Sequence, residues 1–203
     1  AEYATPGYYA VTLANGVRVE LTATLRTAFH RYTFPADVKQ EQVVIDLSQG
    51  IGWDKMTACS MKQEGRNTVV GSRFSTGWAK DQRVYFVAEF SQPITHQTTE
   101  GDTLSVFSFE PTGQPLMVKV GISSVSIDNA RKNLQQESPN WAFNTIVADA
   151  QKAWNKELGK IDIQTDNASD KRIFYTGLYH TMTAPSVFND VNGEYRGADG
   201  KTY

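Results

Sequence analysis

Tyr8-Tyr9-Ala10-Val11-Thr12-Leu13-Ala14-Asn15-Gly16-Val17-Arg18-Val19-Glu20-Leu21-Thr22-Ala23 holds two runs of β type with a turn signal between them. Its second run alternates apolar and polar residues, the period of a strand with one buried face. Asn15-Gly16 tolerates positive φ, so the intervening residues read as a hairpin turn and the two strands as antiparallel neighbours. The same grammar recurs outward. Residues 28–34 alternate and stop at Pro35, which has no N–H to give a ladder. Residues 43–47 are a short apolar run closed by Ser48-Gln49-Gly50, and further runs fall at 57–63, 68–76, 83–90, 103–109 and 116–122. Glu64-Gly65-Arg66-Asn67, Gly101-Asp102 and Pro111-Thr112-Gly113 punctuate them. Nine such runs without a helical pattern between them predict a mainly β domain, an antiparallel sandwich over residues 1–123. A parallel sheet would need crossover helices that the sequence lacks.

Composition agrees. The 203 residues hold one generous domain, or one and part of a second, and 40% hydrophobic with 21% charged is ordinary globular usage. Four Trp, nine Tyr and ten Phe supply large rings to pack between sheets. A net charge of −2 gives no general pull on nucleic acid or an anionic membrane, so neither is expected as a partner. No apolar run approaches the ~18 residues of a membrane span. A lone Cys59 cannot make an internal disulfide, and its setting in Thr57-Ala58-Cys59-Ser60-Met61 predicts a buried thiol, not a nucleophile.

The period changes near Ser124. Ser126 caps a predicted helix over 127–134, and Ser138-Pro139-Asn140 opens a longer one ending at Gly159. Trp141, Phe143, Ile146, Val147, Ala150, Ala153, Trp154 and Leu158 recur at steps of three and four, an apolar stripe for packing on the sandwich. Residues 161–165 read as a short strand. A third helix, opened by Ser169 or Asp170 and ended before Pro185, carries Ile173, Phe174, Leu178, Tyr179 and Met182.

Motifs of catalysis are scarce. There is no Walker loop, nucleotide-binding glycine fingerprint, Gly-x-Ser-x-Gly elbow or zinc spacing, and His30, His96 and His180 lie far apart. Asp190-Val191-Asn192-Gly193-Glu194 has the look of a calcium loop, but its glycine is fourth rather than sixth and the twelfth position is Lys201. Trp53 and Trp78 fall at strand ends or loops, where they either stack on a sugar or cap the sandwich core.

Five blocks carry more information than any statistic. Pro6-Gly7-Tyr8-Tyr9-Ala10-Val11, Glu20-Leu21-Thr22-Ala23-Thr24 and His30-Arg31-Tyr32-Thr33-Phe34-Pro35 come first. Gly77-Trp78-Ala79-Lys80-Asp81-Gln82-Arg83-Val84-Tyr85-Phe86 follows. The most specific runs from Phe174-Tyr175-Thr176-Gly177-Leu178-Tyr179-His180-Thr181 through Ala184-Pro185 to Phe188-Asn189-Asp190-Val191-Asn192-Gly193-Glu194-Tyr195-Arg196-Gly197. In this order they resemble the exo-acting α-mannosidases of glycoside hydrolase family 92 across nearly the whole chain.

That resemblance implies a supersandwich-like β domain (1–123), a helical linker (124–166) and the start of an (α/α)₆ barrel (167–203), with the chain truncated at both ends relative to the family. It implies a calcium-dependent, inverting hydrolase that removes terminal α-1,2-linked mannose from glycans, outside the cytoplasm. The catalytic carboxylates and calcium ligands belong to parts of the family pattern outside this chain, so no residue here is assigned a catalytic or metal role and the chain alone is expected to be inactive. His180, Asp190 and Arg196, in the best-matching block, are the candidate substrate-binding residues, with a structural role at the domain junction as the alternative for each. Expected partners are mannose-containing glycans and the remaining segments of the same protein. The competing reading is a stand-alone carbohydrate-binding sandwich, against which the third helix argues: its apolar residues would lie uncovered.

Overall fold

The Asn15-Gly16 turn joins two paired strands as the sequence predicts, with Gly16 at φ 83° and Ala10 opposite Glu20. In this computed structural model, which describes residues 1–203, eleven strands precede three helices. The strands are β1 (Glu2–Thr5), β2 (Tyr8–Thr12), β3 (Arg18–Ala23), β4 (Thr27–Thr33), β5 (Glu41–Asp46) and β6 (Lys55–Glu64), followed by β7 (Thr68–Thr76), β8 (Gln82–Phe90), β9 (His96–Glu100), β10 (Leu104–Phe109) and β11 (Leu116–Ser123). The helices are α1 (Ile127–Glu137), α2 (Phe143–Leu158) and α3 (Ala168–Thr181).

All pairings are antiparallel. Eight strands form one sheet in the order β1-β2-β3-β4-β11-β8-β7-β6, and β5-β10-β9 form a second. Alternation along β8 decides what lies between them. Phe86, Ala88 and Phe90 share a cluster with Leu116 and Val118 of β11, Val69 of β7, and Phe107 and Phe109 of β10. The ring centroids of Phe90 and Phe109 lie 5.0 Å apart, so the two sheets enclose an aromatic core.

The opposite face of the large sheet carries the helices. Val87 and Val70, pointing that way, pack on Ala130 and Leu134 of α1. Gly121 of β11 lets this helix settle closely: a Cβ there would lie 2.4 Å from the Ala130 carbonyl oxygen. Helix α2 crosses β2, β3 and β4, where Phe143 is buried edge-on against Phe29 at 5.4 Å. The Arg31 guanidinium lies over the Phe143 ring, 4.3 Å from its centroid. Thus a small sheet, a large sheet and a helical layer stack in that order. By contrast α3 buries no residue and meets the rest through Trp154 of α2, 4.7 Å from Tyr179.

Several sequence expectations are corrected here. Two strands are added, β1 and β9, both at sheet edges. Residues 161–165 form no strand. Ser126 caps α1 as predicted, accepting from the Asn129 N–H at 3.1 Å. That helix runs on to Glu137, however, and Ser138 is its C-terminal cap rather than the start of α2. Ser138 is needed there: its carbonyl accepts from the buried Lys119 Nζ at 3.0 Å, and its hydroxyl meets Thr27 Oγ1 at 2.8 Å. Cys59 is half-buried, its thiol 3.3 Å from the Asp102 carbonyl.

Candidate functional site

Residues 189–203 leave α3 and return to the edge of the helical layer, and most of the predicted site residues come with them. A tight turn starts this return. Gly193, at φ 87°, donates to the Asp190 carbonyl at 2.9 Å, and Asp190 N–H donates to the Glu194 carbonyl at 2.7 Å. The turn inserts Asp190 between β11 and α1, where it is 3% exposed. Its Oδ2 accepts from Ser123 Oγ at 2.6 Å and Asn129 Nδ2 at 2.8 Å, and its Oδ1 from Asn133 Nδ2 at 2.7 Å. Asn133 completes the exchange by accepting from the Val191 N–H at 2.9 Å. Asn129 also donates to Glu194 at 2.8 Å, the foremost reason the Glu194 carboxyl sits below its ordinary range.

Glu137 makes the matching clamp on the other side of this junction. Its two oxygens accept from Thr24 Oγ1, Arg26 N–H and Arg26 Nη1 at 2.5, 2.9 and 2.6 Å. Arg26 Nε in turn donates to the Asn189 carbonyl at 2.6 Å. The β3–β4 turn, the end of α1 and the returning segment are therefore one hydrogen-bonded unit.

Arg196 reaches a different element. It grips Asp81, on the turn between β7 and β8, through Nη2 to Oδ2 at 2.7 Å and Nη1 to the carbonyl at 3.3 Å. Arg83 and then Arg196 hold the Asp81 carboxyl below its ordinary range. His180 is placed elsewhere again, exposed in the last turn of α3. It borders a cleft of about 630 Å³ with Pro6, Leu158, Arg172 and Tyr175. Asp190 borders two other clefts, with Arg26 and Asn189. The three sequence-predicted residues are thus not brought into one cleft. Asp190 and Arg196 tie the returning segment to two parts of the sandwich, and His180 stands apart.

An inverting glycosidase needs two carboxyls across a cleft, one of them protonated. Burial pushes the Glu41 carboxyl up, and its Oε2 has no hydrogen-bond partner. It sits at the start of β5 opposite Phe109 and lines none of the clefts above. No three His, Cys, Asp or Glu side chains converge on a common point. With Asp190 committed to Ser123, Asn129 and Asn133, the residues present do not fit a calcium ion.

Trp53 and Trp78 do not cap the core, which overturns one of their two readings: they are 65% and 87% exposed. Their rings lie 6.0 Å apart beside a cleft of about 510 Å³ that also takes in Asp54, Arg73, Ser75 and Gln82. Sequence marked both residues, but only folding brings their loops together.

The model of the glycosyl hydrolase family 92 N-terminal domain matches residues 1–123, and that of the family 92 catalytic domain matches residues 129–203. A family GH92 α-mannosidase from Bacteroides thetaiotaomicron is 30% identical and superposes over 100% of this chain and 30% of its own, with a TM-score of 0.90. A family GH92 inverting mannosidase from the same organism is 28% identical, with a TM-score of 0.86 over 100% of this chain and 29% of its own. An uncharacterized secreted glycosidase of Arthroderma benhamiae is 27% identical over 93% of this chain and 29% of its own length. The chain therefore spans somewhat under a third of the length of these relatives.

Proposed function

The chain belongs to glycosyl hydrolase family 92, and from that premise we propose that it is part of an inverting exo-α-mannosidase acting on terminal α-1,2-linked mannose of glycans. The observation that carries this is the order of the two family matches, N-terminal domain then catalytic domain, on one folded unit. In this reading residues 1–123 are the sandwich, 124–166 the linker and 167–203 the opening of the (α/α)₆ barrel. Inversion requires a carboxylic acid at the leaving oxygen and a carboxylate that activates water from the opposite face. Both are proposed to come from outside this chain, as are the ligands of a calcium ion, whose Lewis acidity and oxygen affinity would act at the sugar hydroxyls. This chain's own part is positional. Asp190 and Glu137 lock the barrel's opening segment onto the sandwich, while His180 and Arg196 are proposed to border the path of the substrate. The chain alone is then inactive.

Work outside the cytoplasm is proposed too. The Arthroderma benhamiae relative is a secreted glycosidase, and that likeness supports this part of the reading. The test is a linkage panel: the complete protein with α-1,2-, α-1,3- and α-1,6-mannobiose, with and without a calcium chelator. Fastest release of mannose from the α-1,2 disaccharide, lost on chelation and restored by calcium, is the expected result. Equal rates on all three, or indifference to the chelator, would remove those parts of the reading.

A further inference from the structure

Trp53 and Trp78 are exposed far beyond what tryptophan shows when it serves packing. They stand on separate loops, Trp53 just before β6 and Trp78 on the β7–β8 turn. Their ring planes differ by 31° at a centroid distance of 6.0 Å, so the two indoles lie against each other as one exposed apolar unit.

The loops beneath are held in place by close approach. A Cβ on Gly50 would lie 2.5 Å from Asp54 Oδ2, and one on Gly77 would lie 3.1 Å from Asp54 Cα and 3.6 Å from Trp53 Cδ1. Between them Asp54 pairs with Arg73 at 2.6 Å, both side chains largely buried, and Arg73 Nε donates to the Leu47 carbonyl at 2.9 Å. Hydrogen bonds from Ser75 and then Arg73 hold the Asp54 carboxyl below its ordinary range. The floor of the cleft is therefore polar yet electrically balanced.

Such a surface selects its ligand by chemistry. An indole face takes the C–H face of a pyranose, and carboxylate, guanidinium and amide groups alongside take its hydroxyls. The balanced Asp54–Arg73 pair offers no net charge to an ionic ligand, which favours a neutral one. A volume of about 510 Å³ suits one or two sugar rings. We propose that Trp53 and Trp78, over the Asp54–Arg73 pair, form a carbohydrate-binding platform for a neutral pyranose of the glycan. The choice of a mannoside as first ligand rests on the glycosidase reading above, and the platform itself does not.

The experiment labels the complete protein with 5-fluorotryptophan and assigns the two resonances by their loss in W53F and W78F. D-mannose, D-glucose and thio-linked α-1,2-mannobiose, which resists hydrolysis, are then titrated to tens of millimolar. A saturable shift of both resonances with at least one sugar is expected, together with quenching of both residues by iodide in the free protein. Resonances that stay fixed with every sugar, or tryptophans shielded from iodide, would overturn the proposal. The mannose-release assay separates the two readings. Shifts without release defeat the glycosidase reading alone, and release without shifts defeats the platform alone.

Discussion

The Asp190 carboxylate and the Asn133 carboxamide, 57 residues apart in the chain, meet at 2.7 Å in the interior of the junction. A helix of the layer on the sandwich and the segment beyond α3 are thereby held by one buried polar contact, which Ser123 and Asn129 extend. Polar contacts of this kind fix geometry as well as stability, since buried donors left without these acceptors would be costly.

Asp190→Ala should destabilise the protein by on the order of 3 kcal/mol, because it strands buried Asn129, Asn133 and Ser123 donors and leaves a void. Urea unfolding measures the loss directly. Within the same variant, faster amide exchange should be confined first to residues 189–203. An unchanged midpoint would mean that the junction is held by something else.

Glu20 gives the protein a defined acid response. It accepts from Arg31 Nε and Nη2 at 2.8 and 2.7 Å and from the Tyr8 hydroxyl at 2.6 Å. Arg31 foremost lowers its pKa from 4.5 to about 2. A carboxyl lowered in the folded state adds stability that is complete above its ordinary pKa and disappears as pH falls through the folded value. The contribution, on the order of 3 kcal/mol, is therefore lost between about 4.5 and about 2. Glu20→Gln should be clearly less stable than the parent near neutral pH, with the difference closing across that window in urea titrations at stepped pH.

Gly121→Ala tests the seat of α1. The new methyl would meet the Ala130 carbonyl at 2.4 Å and Leu134 Cβ at 2.8 Å, so the helix must lift. A loss of about 1–3 kcal/mol is expected from such overpacking. Gly52→Ala is the contrast: its φ of 63° makes it strained, but the added methyl meets nothing, so the core should keep its near-ultraviolet dichroism.

Phe143→Ala should release α2 from the large sheet. It removes a buried ring that packs on Phe29 and lies beneath the Arg31 guanidinium, at a cost of about 3–5 kcal/mol. Thermal unfolding would show the effect, and exchange protection across α2 should fall with it.

Much of this architecture is legible in the residues. Strands with a buried face declare themselves by alternation, as along β8 and β11, where every second residue enters the aromatic core. β1 and β9 escape notice because edge strands with polar, exposed residues have no buried face to imprint a period. The residues 161–165 mislead for the opposite reason: Ile161 and Ile163 alternate, yet no neighbouring strand is there to pair with them. Ser138-Pro139 carries a valid helix-start signal, but Lys119 and Thr27 recruit Ser138 as the end of α1 instead. For the candidate site, sequence identifies Asp190 and Arg196 but not their partners. Asp81 lies 115 residues from Arg196, and Ser123 lies 67 from Asp190, separations that no local pattern encodes.

We propose that this chain supplies the sandwich and junction of an inverting α-mannosidase whose chemistry lies outside it. Proton NMR of α-1,2-mannobiose, incubated with the complete protein and separately with the 203-residue chain, decides this. The expected result is β-mannose appearing before mutarotation with the complete protein and an unchanged spectrum with the chain. Release of α-mannose, no release by the complete protein, or any release by the chain alone would contradict it.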